Sequence, residues 1–107
     1  MAAQFRLSSS KLALTYPQCA ADKDQVLARI HDCFGDNLEW AIVAAESHQD
    51  GNQHLHAGIK LKRRRDIQSA RMLDDLAGSH GNYQSMRNVY DWVRYVIKDG
   101  DYVAWGS

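Results

Sequence analysis

The chain has 107 residues, 45% of them apolar and 24% charged, with 13 basic side chains balanced by 13 acidic ones. That length accommodates one domain with one modest core and excludes two; no apolar run approaches the roughly 20 residues of a bilayer-spanning helix. Net neutrality removes bulk attraction to a polyanion as an argument for any partner.

No secretory-type leader is recognisable, so a protein that is not secreted is expected. Cys19 and Cys33 are too few for a disulfide framework, and two free thiols in a reducing compartment are the simpler expectation.

In chain order, Leu12 to Tyr16 has the pattern of a short strand that Pro17 stops. Asp22 to Phe34 predicts an amphipathic helix: Val26, Leu27, Ile30, Cys33 and Phe34 recur at helical spacing, acids occupy the first turn, and Gly35 follows. Leu38 to Ser47 and Gln53 to Lys62 are two strands of a hairpin, joined by a loop with Asp50-Gly51-Asn52 as its turn signal. Along the later strand Leu55, Ala57, Ile59 and Leu61 share one face, and His54, His56, Gly58 and Lys60 the other.

Ile67 to Ala77 predicts a short helix ended by Gly78, and Tyr83 to Met86 a brief strand. Val89 to Lys98 predicts a helix whose apolar side is Val89, Trp92, Val93, Val96 and Ile97; after Gly100, Tyr102 to Trp105 forms a last edge strand. The fold class is α+β, a central antiparallel sheet with helices packed mainly on one face.

Charge is distributed unevenly. Lys60, Lys62, Arg63, Arg64, Arg65 and Arg71 are opposed only by Asp66 between His54 and Arg71. This stripe suits a confined polyanion contact, or equally an edge strand protected by charge.

His54 and His56, two apart on a strand, point to one side and can reach one metal ion. A three-residue loop at Asp50-Gly51-Asn52 pairs residues 49 and 53, which sets Glu46 opposite His56 on the histidine face; a two-residue loop turns Glu46 away. One carboxylate and two imidazoles suit Mg²⁺ or Mn²⁺ with positions left open for phosphate oxygens, and zinc also fits. A closed structural zinc site is disfavoured, because no cysteine lies nearby in sequence. Taken alone, two histidines at this spacing are a weak signal, and an unliganded surface hairpin is the commoner origin of the pattern.

Tyr95 lies off the apolar side of its helix, beside Asp91, Arg94 and Lys98. Such a tyrosine is either inert surface or a displayed nucleophile. A free phenol has a pKa of about 10 and needs a nearby cation, metal or base; Lys98, one turn on, supplies a cation.

These segments together resemble the replication initiator (Rep) proteins of circular single-stranded-DNA viruses, the geminivirus-like branch of the His-hydrophobic-His (HUH) endonucleases. Phe5-Arg6-Leu7 and Leu14-Thr15-Tyr16-Pro17-Gln18-Cys19 are similar to the first Rep motif, and Glu46 with His54-Leu55-His56 to the second. Tyr95-Val96-Ile97-Lys98-Asp99-Gly100-Asp101 is similar to the third, and His80-Gly81-Asn82-Tyr83-Gln84 to the segment before the nucleophile helix.

The resemblance implies a ferredoxin-like or RRM-like HUH domain that nicks and joins single-stranded DNA at a stem-loop origin of rolling-circle replication. Tyr95 becomes linked to a 5′ phosphate with Lys98 assisting. Glu46, His54 and His56 bind Mn²⁺ or Mg²⁺, and Asp101 is a further candidate ligand. Implied DNA contacts are Phe5, Arg6, His80 and Asn82, with Lys60, Lys62, Arg63, Arg64 and Arg65 along the backbone. No phosphate-binding loop of a helicase is present, so residues 1–107 are expected to be the N-terminal domain of an initiator whose longer form assembles with further Rep subunits. A eukaryotic virus implies the host nucleus, any other source the cytoplasm.

Two other functions fit fewer of these residues. A non-catalytic single-stranded nucleic-acid-binding module explains the arginines and tyrosines and leaves Glu46, His54 and His56 without purpose. A metal-dependent phosphohydrolase with water as nucleophile makes Tyr95 incidental. His31 and His48 are expected to be solvated or incidental.

Overall fold

The computed structural model describes residues 4–47 and 53–106. Five strands form one antiparallel sheet: β1 (Leu7–Tyr16), β2 (Leu38–Ser47), β3 (Gln53–Ile67), β4 (Asn82–Ser85) and β5 (Tyr102–Gly106), ordered β4-β1-β3-β2-β5. Three helices join them: α1 (Lys23–Phe34), α2 (Ala70–Ala77) and α3 (Val89–Ile97). His48 and the turn signal at Asp50-Gly51-Asn52 lie outside the described residues.

Period-two alternation decides which face is dry. Leu12, Leu14 and Tyr16 of β1, Ala41, Val43 and Ala45 of β2, and Leu55, Ala57, Ile59 and Leu61 of β3 are buried in one cluster. Val26, Ile30 and Phe34 of α1 and Leu73, Leu76 and Ala77 of α2 close it from above. Each large aliphatic side chain removed from water here contributes about 1.5–3 kcal/mol. Tyr16 is wholly buried in this layer; burial raises its phenol pKa, so it stays neutral and donates to the Leu73 carbonyl at 2.7 Å.

Local chemistry sets the helix ends. The Asp22 carboxylate accepts from the Gln25 amide at 3.2 Å to start α1, and Gly35, at a φ of 53°, ends it. The Asn88 side chain caps α3 by accepting from the Asp91 amide at 3.0 Å. Asp91 in the first turn then favours the positive end of the helix dipole.

The expected helix from Ile67 begins instead at Ala70, and β3 continues through the arginine run to Ile67. Ile67 is buried opposite Leu7, so tertiary pairing overrides the local pattern. The first strand is correspondingly longer than its apolar half, starting at Leu7 rather than Leu12. The register shift at Ser9/Lys11 leaves residues 61–64 of β3 as a bulged stretch against β1, and the one at Leu38/Trp40 makes Glu39 an extra residue of β2.

Two helices share one face and the third takes the other. α3 lies across the histidine side of β3, where the Trp92 ring rests directly over Gly58 and Met86 reaches the same glycine. No helix among the described residues is long and apolar enough to cross a membrane.

Candidate active site

Strand register brings the histidine face together from three strands. On β3 the positions His54, His56, Gly58 and Lys60 lie on the face opposite the buried set; Glu46 of β2 pairs with His54, and Ala44 with His56. Thr15 and Lys11 of β1 pair with His56 and Lys60 from the other side. Glu46 thus has the expected face, but its cross-strand partner is His54 rather than His56. A slip of two residues preserves parity, and that is why the face survives the register difference.

The carboxylate of Glu46 sits between an imidazole and a phenol. One oxygen, Oε1, is 3.5 Å from His56 Nε2, and the other, Oε2, accepts from the Tyr95 hydroxyl at 3.2 Å. The His56 ring meets the Tyr95 ring edge-on, centroids 6.3 Å apart, while Thr15 Oγ1 lies 3.4 Å from His56 Nδ1. These groups are wet enough to meet a substrate and enclosed enough to be held: the side chains of His56 and Glu46 are 14% and 23% exposed, Tyr95 52%.

Lys98 follows α3 directly. Its ammonium lies 4.1 Å from the centroid of the Tyr95 ring. This places a cation over the π face of the phenol, fixing the ring as well as lowering the cost of negative charge on it.

The chemistry of the donor set fits a hard or borderline divalent cation: one carboxylate and two imidazoles on a rigid sheet. Glu46 and His56 are already adjacent, and His54 lies across from Glu46 on the same face. No three His, Cys, Asp or Glu side chains among the described residues are gathered tightly enough to hold an ion as they stand. Face and register are therefore in place, and closure around an ion requires side-chain rotation.

Asp101 is not brought to this group. Its carboxylate pairs with Lys23 of α1 at 2.8 Å, and that bond raises the Lys23 pKa. Because α1 packs on the opposite face of the sheet, the pairing leads Asp101 away from the histidines. Its backbone carbonyl does accept from the Ala45 amide at 2.9 Å, which ties the start of β5 beside Glu46.

The basic run does not form one stripe. Arg65 stacks over the Phe34 ring at 5.5 Å and reaches the Met72 sulfur, on the side of α1 and α2. Arg64 donates to the Ser8 carbonyl at 3.2 Å, and the Arg63 amide donates to the Asn37 side chain at 2.9 Å. Lys62 and Arg63 have exposed side chains, and Lys60 donates its ammonium to the Leu61 carbonyl. Strand alternation and the bulge at residues 61–64 split the charges between faces.

Other residues expected to touch DNA have partners within the fold. Arg6 makes a two-pronged bond to Asp66, both contacts 3.1 Å, and holds that carboxyl below its usual pKa. Phe5 packs edge-on against Tyr83, and His80 Nδ1 lies 2.8 Å from Asp74. Tyr83 donates to the same Asp74 oxygen at 2.5 Å. Burial, reinforced by that bond, raises the Tyr83 phenol pKa. Partial burial acts to raise Asp74, but the bonds from Tyr83 and His80 together outweigh it and hold the carboxyl low. Asn82 is exposed on β4, beside Thr15.

Sequence reasoning missed the placement of Thr15 against His56, the place of Lys11 on the same face, and the Gly58–Trp92 contact. The first two were accessible from alternation, since Leu12, Leu14 and Tyr16 inward require Lys11, Ala13 and Thr15 outward. The third had one weak signal, a glycine inside a strand.

A family model described as the Geminivirus Rep catalytic domain matches residues 5–107. The Replication-associated protein of Cabbage leaf curl virus (isolate Jamaica) is 35% identical over 115 residues, covering 96% of this chain and 32% of the relative. Replication-associated protein A of Tobacco yellow dwarf virus (strain Australia) is 34% identical over 108 residues, covering 96% and 35%. The Replication-associated protein of Bean yellow dwarf virus is 37% identical over 98 residues, covering 91% and 29%. The chain thus spans about a third of the length of these relatives.

Proposed function

Because this chain belongs to the family of geminivirus Rep catalytic domains, we propose that it nicks and rejoins single-stranded DNA at a replication origin through a covalent link to Tyr95. The observation that supports this most directly is the junction at Glu46, whose two carboxylate oxygens meet His56 and the Tyr95 hydroxyl.

In the proposed reaction the Tyr95 oxygen attacks a backbone phosphorus, its proton already directed at Glu46 Oε2. A phosphorus–oxygen bond to tyrosine forms, the bond to the 3′ oxygen breaks, and that oxygen leaves as a 3′ hydroxyl after taking up a proton. Rejoining is the same exchange reversed, with the 3′ hydroxyl as nucleophile, so bond energy is conserved in the phosphotyrosine. Lys98 above the ring favours the charge that develops on the phenol. α3, seated on Gly58 through Trp92, holds the nucleophile at a fixed height over the sheet.

Glu46, His54 and His56 would hold Mn²⁺ or Mg²⁺, which when bound would supply Lewis-acid chemistry to the phosphate. Origin recognition as a stem-loop, and assembly with other copies, are properties proposed for a longer initiator of which this domain supplies the strand-transfer step.

The test is incubation with single-stranded, origin-containing DNA and Mn²⁺, followed by denaturing electrophoresis. Wild type is expected to give a protein–DNA adduct that survives denaturation; Tyr95→Phe and addition of a chelator are each expected to abolish it. Cleavage without an adduct would replace the proposal with a water-using phosphohydrolase, and binding without cleavage with a passive module.

A further inference from the structure

Beside Tyr95 the histidine face continues into a groove of about 500 Å³ between β4 and α3, open along one side. Met86, 3% exposed, and the Trp92 ring give it apolar walls, and Tyr95 stands at its edge. Gln84, Arg87 and Asp91 line the same groove. Among the described residues these three side chains make no hydrogen bond or ion pair within the protein; it is the backbone amide of Asp91, not its carboxylate, that meets the Asn88 cap. An apolar slot with a few convergent, uncommitted polar groups is the usual form of a site for a flat organic ligand.

We propose that this groove is a nucleobase subsite, taking from the strand presented to Tyr95 a base that carries an exocyclic amine. The inference rests on the DNA-acting reading and adds to it the base that is read. The groups present set the preference. A carboxylate such as Asp91 accepts from an exocyclic amine, as aspartate does from cytosine. A side-chain amide such as Gln84 can donate to a ring nitrogen and accept from the amine beside it, as glutamine does with adenine. Thymine offers a carbonyl oxygen in that position, which would face the Asp91 oxygens with no proton between them. Met86 and Trp92 supply apolar contact to the base, and Arg87 at the rim suits the adjoining phosphate. Because Tyr95 forms the edge of the groove, the bound base belongs to a nucleotide next to the phosphate that Tyr95 attacks.

The experiment uses ¹⁵N-labelled Tyr95→Phe protein, so that no strand transfer intervenes. It is titrated with single strands of about twelve nucleotides of deoxyadenosine, deoxycytidine or thymidine, and with an abasic strand of the same length. The adenine and cytosine strands are expected to shift the Trp92 indole and Gln84 side-chain amide signals and to bind about 5-fold or more tightly than thymidine. Gln84→Ala and Asp91→Ala are each expected to reduce that preference, and the abasic strand is expected to leave the two groove signals in place. Equal affinity for all bases, or groove signals left unmoved by strands that bind elsewhere on the histidine face, would overturn this inference alone. Failure of every strand to bind would overturn the DNA-acting reading together with it.

Discussion

Gly58 and Trp92 are complementary to the point that one methyl group would separate them: a Cβ at Gly58 would lie 2.4 Å from the Trp92 ring. Two residues earlier on β3, His56 meets the Tyr95 ring, three residues later on α3. The glycine–tryptophan contact is therefore the support that sets the height of the tyrosine over the histidines.

Gly58→Ala is expected to lift α3 and to cost about 1–3 kcal/mol, the usual range for overpacking. Adduct formation by Tyr95 should slow even under conditions where the variant is fully folded. Trp92→Leu in the Gly58→Ala background should restore part of the rate, because it vacates the same space. Denaturant unfolding and single-turnover adduct kinetics measure the two effects separately. A full rate in folded Gly58→Ala would contradict a positioning role.

A cation held by Glu46, His54 and His56 must stabilise the folded chain. At a Mn²⁺ concentration 100 times its dissociation constant, the gain is expected to be about 2.7 kcal/mol, read as a rise in Tm that a chelator reverses. His56→Ala and Glu46→Ala should lose that rise. Asp101→Asn should retain it, since the Asp101 carboxylate is paired with Lys23; the surface pair itself contributes at most about 1 kcal/mol. Loss of the Mn²⁺ effect in Asp101→Asn would return Asp101 to the ligand set.

Asp74 gives the fold an acid-sensitive clasp between α2 and β4. Its carboxyl is held below the ordinary aspartate value, so its contribution is fully present above about pH 4 and is lost as pH falls through the lower folded value. Tyr83→Phe removes one donor, which should cost about 1 kcal/mol at neutral pH and make the loss of Tm on acidification shallower. Thermal unfolding of both proteins from neutral to strongly acid pH checks the sign. An unchanged acid slope would mean the Tyr83–Asp74 bond has no energetic consequence.

Salt dependence should locate the strand's phosphates. Each phosphate contact on a single strand contributes a slope of about −0.7 in log affinity against log salt. Lys11 and Lys60 are paired on the histidine face, so Lys11→Ala with Lys60→Ala is expected to flatten the slope by about 1.4. Arg65→Ala, whose guanidinium packs over Phe34 on the helix-covered side, should leave it unchanged and lower stability instead. Equal flattening by both variants would restore the single basic stripe.

Much of the site was legible in local pattern. Alternation along Gln53 to Lys62 separated the histidine face from the buried one, and the off-stripe position of Tyr95 placed it on the exposed side of its helix, as found. The charge run Lys62 to Arg65 reads as one stripe along the chain, but a count of cations says nothing of a bulge that turns successive side chains different ways. Asp101, a candidate ligand by resemblance alone, is paired with Lys23 across the fold, a contact no local pattern encodes.

The sequence by itself determined the order of the elements and which side of each faced the core, because 2.0 and 3.6 residue periods are properties of the local backbone. Tertiary structure alone decided that Glu46 pairs with His54, that β3 runs on to Ile67, and that α3 lies over Gly58 rather than beside the other helices. Those outcomes depend on contacts between residues distant in the chain, where packing volume and strand register set the energy, and no local period encodes either.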